Sequence, residues 1–153
     1  AMDSKKVGKK YKYIDHLSDI GIEFYGKKLE ELFENAAVGM FSIMCDLELV
    51  KPQEKRNIKI SQKDSCYEDL LVLWLERLLY LYEVDDVLFS EFKVGGVHKK
   101  GRNLALTAEI SGEKIDLNKH KIKIAVKAPT YHMLEIKRDD RYCDWKGRII
   151  FDV

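Results

Sequence analysis

The chain is poor in residues that break or cross-link a fold. Its 153 residues include only two prolines, and no low-complexity tract or linker interrupts them. Domains run to roughly 100–200 residues, so the sequence reads as one domain, long enough to bury a proper core. Its three cysteines, Cys45, Cys66 and Cys143, form no C-x-x-C pair. An odd cysteine count without a secretion signal reads as reduced thiols in a cytoplasm. Cys45 and Cys66 lie in or beside helical patterns and are expected to be packing residues. No apolar run reaches the ~18 residues that a membrane span needs, and the longest, LLVLWLERLLYLY, is broken by Glu76 and Arg77. Charge of one sign is lacking too: 27 Lys and Arg stand against 26 Asp and Glu, a net of +1. General attraction to nucleic acid or an anionic membrane is therefore not a whole-protein property. There is no G-x-S-x-G, no H-E-x-x-H and no Gly-rich loop opening a helix, so no nucleophile, zincin or nucleotide fingerprint is present. The aromatic-basic pattern of an RNA-binding sheet is missing as well.

What is there is an ordered series of elements. The run KKVGKKYK is basic and reads as a solvated tail over residues 1–10, with Ala1 and Met2 read as a cloning remnant and the domain over 11–153. Leu29, Leu32, Phe33, Ala36, Ala37, Met40, Phe41 and Met44 recur at three- and four-residue steps, which predicts a helix with a broad apolar stripe. Glu30, Glu31 and Glu34 occupy its first turns, where the helix dipole favours negative charge. A second helix is predicted from Ser65-Cys66-Tyr67-Glu68, which has the form of a capping box, through Leu71, Trp74, Leu75, Leu78, Leu79 and Tyr82. Leu70, Leu73 and Leu81 widen its apolar face, so burial on more than one side is expected. Strands are predicted at 20–25, 57–61 and 122–126, and as hairpins over 88–110 and 131–152. Gly95-Gly96 within a strand suggests a bulge. The whole argues an α+β fold: two layers, with two helices on one face of a mainly antiparallel or mixed sheet of about seven strands.

Three segments could carry chemistry. Asp15-His16-Leu17-Ser18-Asp19 offers two carboxylates and an imidazole before a strand, donors that a divalent cation can use. The same residues in such a loop often bond their own backbone instead. The segment Ile149-Ile150-Phe151-Asp152-Val153 puts Asp152 on the same strand face as Ile150. If Ile150 faces the core, that carboxylate wants a cation or a donor; otherwise the strand end frays and Asp152 is solvated. The free carboxylate of Val153 would add further oxygens. Lys127-Ala128-Pro129-Thr130-Tyr131-His132 brings a hydroxyl, a phenol and an imidazole to the start of a strand. His132 could equally be satisfied by one backbone partner.

The ordered set DHLSDIGIEFYG, LEELFENAAVGMFSIM, KAPTYHMLEIK, Trp145 and the closing IIFDV resembles the archease family over nearly the whole chain. One departure is Leu17-Ser18, where the family more often has Thr-Ala. The resemblance implies a small non-enzymatic protein, an activator or chaperone of the tRNA-splicing RNA ligase. That ligase joins RNA ends bearing a 2′,3′-cyclic phosphate or 3′-phosphate to a 5′-hydroxyl using GTP. The activator promotes its guanylylation and multiple turnover. The resemblance also implies calcium binding through Asp19, Asp152 and Val153. Hard oxygen donors of this kind suit calcium, manganese or magnesium better than copper or zinc. Asp15, His16 and His132 are candidates to orient the carboxylates or a bound partner group, and Lys127 and Tyr131 could belong to a ligase contact surface. RNA would be met only indirectly. Two other readings stand beside this one. A metal-dependent hydrolase such as a phosphoesterase could use Asp19, Asp152 and His132. A direct RNA-binding module would show salt-dependent affinity.

Overall fold

The apolar steps from Leu29 form a helix, α1 (Leu29–Met44), and those after Ser65 form α2 (Tyr67–Asp85). The computed structural model describes residues 10–15, the last by its backbone alone, 19–141 and 144–153. Its strands are β1 (Tyr11–Asp15), β2 (Asp19–Gly26), β3 (Glu54–Gln62), β4 (Val87–Lys100), β5 (Asn103–Lys114), β6 (Ala128–Arg138) and β7 (Trp145–Asp152). The fold is α+β, with two α-helices, one short 3-10 helix (Leu47–Leu49) and seven strands among the described residues. The strands divide into two antiparallel sheets, β1-β2-β7-β6 and β3-β5-β4. The helix α1 touches both, lying against β2 and β7 of the first and β4 of the second.

That placement follows from composition. The small residues Ala36, Ala37 and Gly39 are buried together with Phe33, Met40, Phe41 and Met44, so α1 can be approached from several sides. The larger α2 residues Leu71, Trp74, Leu75 and Leu78 are buried within the same core. The Trp74 indole N–H donates to the Phe33 carbonyl at 2.9 Å, tying the helices together.

The acidic start of α1 does more than answer the helix dipole. The ladder of β4 and β5 slips between Val94 and Gly96, the bulge that the two glycines suggest. A bulge takes backbone N–H groups out of the ladder. The carboxylate of Glu34 accepts from Val94 N–H at 2.8 Å and that of Glu30 from Val97 N–H at 3.1 Å. Burial raises the Glu34 carboxyl above its ordinary pKa.

Several expectations are corrected. Residues 122–126 form no strand, although burial alternates along them. The segment bends at Ile124, and its Lys123 N–H bonds to the Met44 carbonyl at 2.7 Å rather than to a neighbouring strand. The capping box does not form: α2 starts after Cys66, without a side-chain cap. The Ser65 hydroxyl instead donates to Gln62 Oε1 at 3.1 Å. Cys66 is an exposed free thiol rather than a packing residue, whereas Cys45 is buried. The strand β1, YKYID, is not among the strands expected from the sequence. No helix among the described residues is long and apolar enough to cross a membrane.

Two features of the second sheet make predictions. Gly112 pairs with Glu54 on one side and Phe89 on the other, and a Cβ there would run into the Leu88 carbonyl. Backbone cannot swing aside as a side chain can. Gly112→Ala should therefore cost about 3 kcal/mol, the upper part of the overpacking range, measured by urea unfolding. Glu113 follows in the chain. Its carboxylate is held by the Lys119 ammonium at 2.7 Å, by Lys51 N–H at 2.7 Å and by His120 Nε2 at 3.0 Å. His120 Nδ1 accepts from Asp116 N–H, so its proton sits on Nε2. These contacts, the Lys119 pair first, lower the Glu113 pKa to about 2. A carboxyl depressed on folding stabilises fully above its unfolded value of roughly 4.3 and loses that contribution as pH falls through the folded value. Wild type should therefore outlast Glu113→Gln in thermal melts at pH 6, and the gap should close as pH falls from about 4 to 2.

Candidate metal centre

The alternation that begins at Asp19 sets the site. Ile22 and Phe24 are fully buried and Ile20 packs beside them, so Asp19, Gly21 and Glu23 face the other side of the sheet. On β7 the same logic places Ile149 and Phe151 in the core, with Ile150 and Asp152 on the outer face. Ile150 is nevertheless only 1 % exposed. It packs over Gly21, where an added Cβ would meet Ile14 at 3.2 Å and Ile150 at 3.3 Å. The condition that Ile150 faces the core is thus not met. Asp152 is an exposed residue on the outer face.

The two ladders then fix what meets what. Asp19 pairs directly with Asp152, and Asp152 pairs with Ala128 on its other side. Directly opposed residues in an antiparallel pair project from the same face, with Cβ atoms about 4.5–5.5 Å apart. The carboxylates of Asp19 and Asp152 are therefore brought together, with Val153 one step beyond. The backbone at this point is pinned. Lys127 N–H donates to the Asp152 carbonyl at 2.8 Å, and the Thr130 hydroxyl donates to the Ile150 carbonyl at 2.7 Å. Asp19 is half-buried, as is Val153.

Two like charges directly opposed across a sheet repel. A hard divalent cation between them would reverse the sign of that interaction, and carboxylate and main-chain oxygens are the donors such ions prefer. The donor chemistry thus fits calcium, manganese or magnesium. Among the described residues, no three His, Cys, Asp or Glu side chains converge as a metal cluster. The described donors here are two carboxylates and the main-chain carbonyl of Val153, which would leave coordination positions for water or a partner's groups.

The other candidates fall elsewhere. Asp15 ends β1, paired with Ile20; its side chain and all of His16 lie outside the described residues. Lys127 reaches the pair through its backbone. Between Thr130 and Glu135 the β6 ladder slips against β7, so residues 131–134 leave the regular pairing. Met133 there has φ 56°, and its carbonyl accepts from Arg148 Nε at 2.9 Å. His132 sits on this bulge, exposed, four residues along β6 from Ala128, or roughly 13 Å at strand rise. Tyr131 donates its hydroxyl to Asp69 of α2 at 3.1 Å and stays 60 % exposed. Neither is brought to the carboxylate pair. Thr130, read in the sequence only as part of a polar series, holds β6 against β7 beside the pair. Its place directly after Pro129, where a strand begins, was the one sign of such a role.

Comparison with known proteins agrees with this architecture. The family model described as the archease protein family (MTH1598/TM1083) matches residues 11–153. A protein archease of Methanosarcina barkeri is 40% identical over 146 residues, covering 95% of this chain and 97% of its own. One of Sulfurisphaera tokodaii is 44% identical over 133 residues, covering 87% and 92%. The solution structure of Methanobacterium thermoautotrophicum protein 1598 superposes with a TM-score of 0.81 at 39% identity, covering 95% of this chain and 99% of that one. The crystal structure of a Thermotoga maritima archease, described as a possible chaperone, shares the fold with a TM-score of 0.51 at 21% identity. On a family match that takes in β1 through β7, together with relatives of this similarity over most of their length, this chain belongs to the archease family.

Proposed function

We propose that this protein is a non-enzymatic activator of the tRNA-splicing RNA ligase, working in the cytoplasm and binding calcium, or manganese or magnesium, through Asp19, Asp152 and Val153. The observation that carries the reading is the direct pairing of Asp19 with Asp152, in a chain of the archease family. Two opposed carboxylates with main-chain oxygens beside them make a partly open oxygen site. When bound, a divalent ion there would supply positive charge near a partner's nucleotidyl-transfer centre, where charge on phosphate must be neutralised. The protein's own part is to hold the two carboxylates in register. The ladder of β2 with β7 does this, and the Lys127 and Thr130 hydrogen bonds fix the strand end.

The hydrolase alternative would need Asp19, Asp152 and His132 to act on one substrate, and the bulge of β6 holds His132 apart from the pair. The deciding experiment follows ligase guanylylation and RNA joining over several turnovers with and without this protein. Wild type should convert a single-turnover ligase into a repeating one. Asp19→Ala with Asp152→Ala, still folded, should leave the ligase at its basal rate. Equal activation by that double variant would sink the metal part of the reading, and metal-dependent phosphoester hydrolysis by the protein alone would favour the hydrolase.

A further inference from the structure

The near-zero net charge hides a sorted surface. In β3 the residues Ile58 and Ile60 are buried, so Lys55, Asn57, Lys59 and Ser61 share the outward face. The register carries that face across the sheet. Lys59 lies opposite Thr107, and Ser61 opposite Ala105. On the far strand Gly96 lies opposite Thr107, His98 opposite Ala105, and Lys100 opposite Asn103, while Lys93 lies opposite Glu109. The floor is made of small or short polar residues, and two depressions open on it. One, of about 520 Å³, is bordered by Lys63, His98 and Lys100 over Ser61, Asn103 and Ala105. The other, of about 490 Å³, is bordered by Lys59 and Lys93 over Asn57, Gly95 and Thr107, with Glu109 at its edge. A Cβ at Gly96 would meet the His98 ring, so the imidazole lies across the bulge.

Four described lysines outside this face are ion-paired. Lys12 and Lys146 flank Glu23 at 3.6 and 3.5 Å, Lys119 pairs with Glu113 at 2.7 Å, and Lys137 with Glu135 at 3.4 Å. None of Lys55, Lys59, Lys63, Lys93 and Lys100 has an ion-pair partner among the described residues. Glu91 and Glu109 are the carboxylates of this face, fewer than its lysines.

From this sorting we infer that the outer face of the β3-β5-β4 sheet is a binding surface for the phosphate backbone of single-stranded RNA. Charge complementarity calls for a polyanion. The face lacks the aromatic and apolar anchors that carry protein–protein interfaces, where lysine is depleted. It has instead lysines over hydroxyl and amide side chains, the groups that contact phosphate and sugar. With the His98 imidazole as the one ring named on this face, base stacking contributes little, and binding is governed by counterion release. This surface lies on the other sheet from Asp19 and Asp152, and the inference does not rest on the ligase reading.

The test is fluorescence anisotropy of a labelled oligouridine with the protein alone, across a salt series. With about four lysines on phosphates, log K should fall against log salt with a slope of about −3, near fiftyfold between about 50 and 200 mM. Lys59→Gln with Lys93→Gln should flatten that slope by about 1.4, a change that a folding defect would not produce. Lys59→Glu, Lys63→Glu, Lys93→Glu and Lys100→Glu together should abolish binding with the basic tail intact. Glu109→Gln should tighten it. Lys27→Glu with Lys121→Glu, exposed residues away from this sheet, should leave it unchanged. The inference is overturned if wild type does not bind at low salt, if the slope survives the sheet substitutions, or if polyglutamate of equal charge competes as well as RNA does.

Discussion

Asp152→Asn is expected to act with opposite signs on the metal-free and the calcium-loaded protein. In the metal-free state the substitution removes one of two like charges that face each other across β2 and β7. Relief of such a pair should raise stability by a few tenths to about 1 kcal/mol. In calcium the wild type should gain by mass action, about 2.7 kcal/mol at a hundredfold excess over Kd. For a domain of this size that is a rise of roughly 5–10 °C in Tm. The variant should gain little, since an amide oxygen offers no net charge to the cation. The check is differential scanning calorimetry with and without calcium. A variant destabilised in both conditions would mark Asp152 as a structural residue and remove the metal site.

Trp74→Ala should have the largest effect on folding. Trp74 is fully buried. Its indole binds the Phe33 carbonyl, and its ring meets Phe92 edge-on at 6.4 Å. Loss of this volume where α1, α2 and β4 meet should cost about 4 kcal/mol. That is a large part of the 5–15 kcal/mol typical of a domain. Trp74→Phe keeps most of the apolar volume and loses the hydrogen bond, so it should cost about 1–2 kcal/mol. Urea midpoints for the two variants separate the packing contribution from the polar one. Equal costs would show that the indole N–H, rather than its bulk, joins the helices.

The elements with strong periodicity were the ones legible in the sequence. Leu29 to Met44 repeats at helical steps and forms α1, and Ile20 to Phe24 alternates and forms β2. Where the alternation reflects burial alone, it misleads. Ile122, Ile124 and Val126 alternate because one side packs on the core, yet they join no ladder. Ser65 and Glu68 have the spacing of a cap, but the serine is engaged by Gln62 and by the chain near Arg102. The candidate site was half legible. Its acidic residues stand out, but nothing in their spacing places Asp19 beside Asp152; that pairing is a matter of register, and only the family resemblance joins the two segments into one site. The slip in β6 that carries His132 away leaves no mark in composition. The lysine face was hidden by summing charge over the chain rather than over the alternate residues of each strand.

The order β1-β2-β7-β6 places the last of the described strands inside its sheet, with a neighbour on either side. During synthesis β2 and β6 are made before the strand that must lie between them, so both carry open edges until β7 emerges. The first sheet therefore closes late and through contacts distant in sequence, which slows folding. The acidic pair can be completed only by that last insertion. A polypeptide cut before β7 would have no residue to set opposite Asp19, and β2 and β6 would keep their open edges.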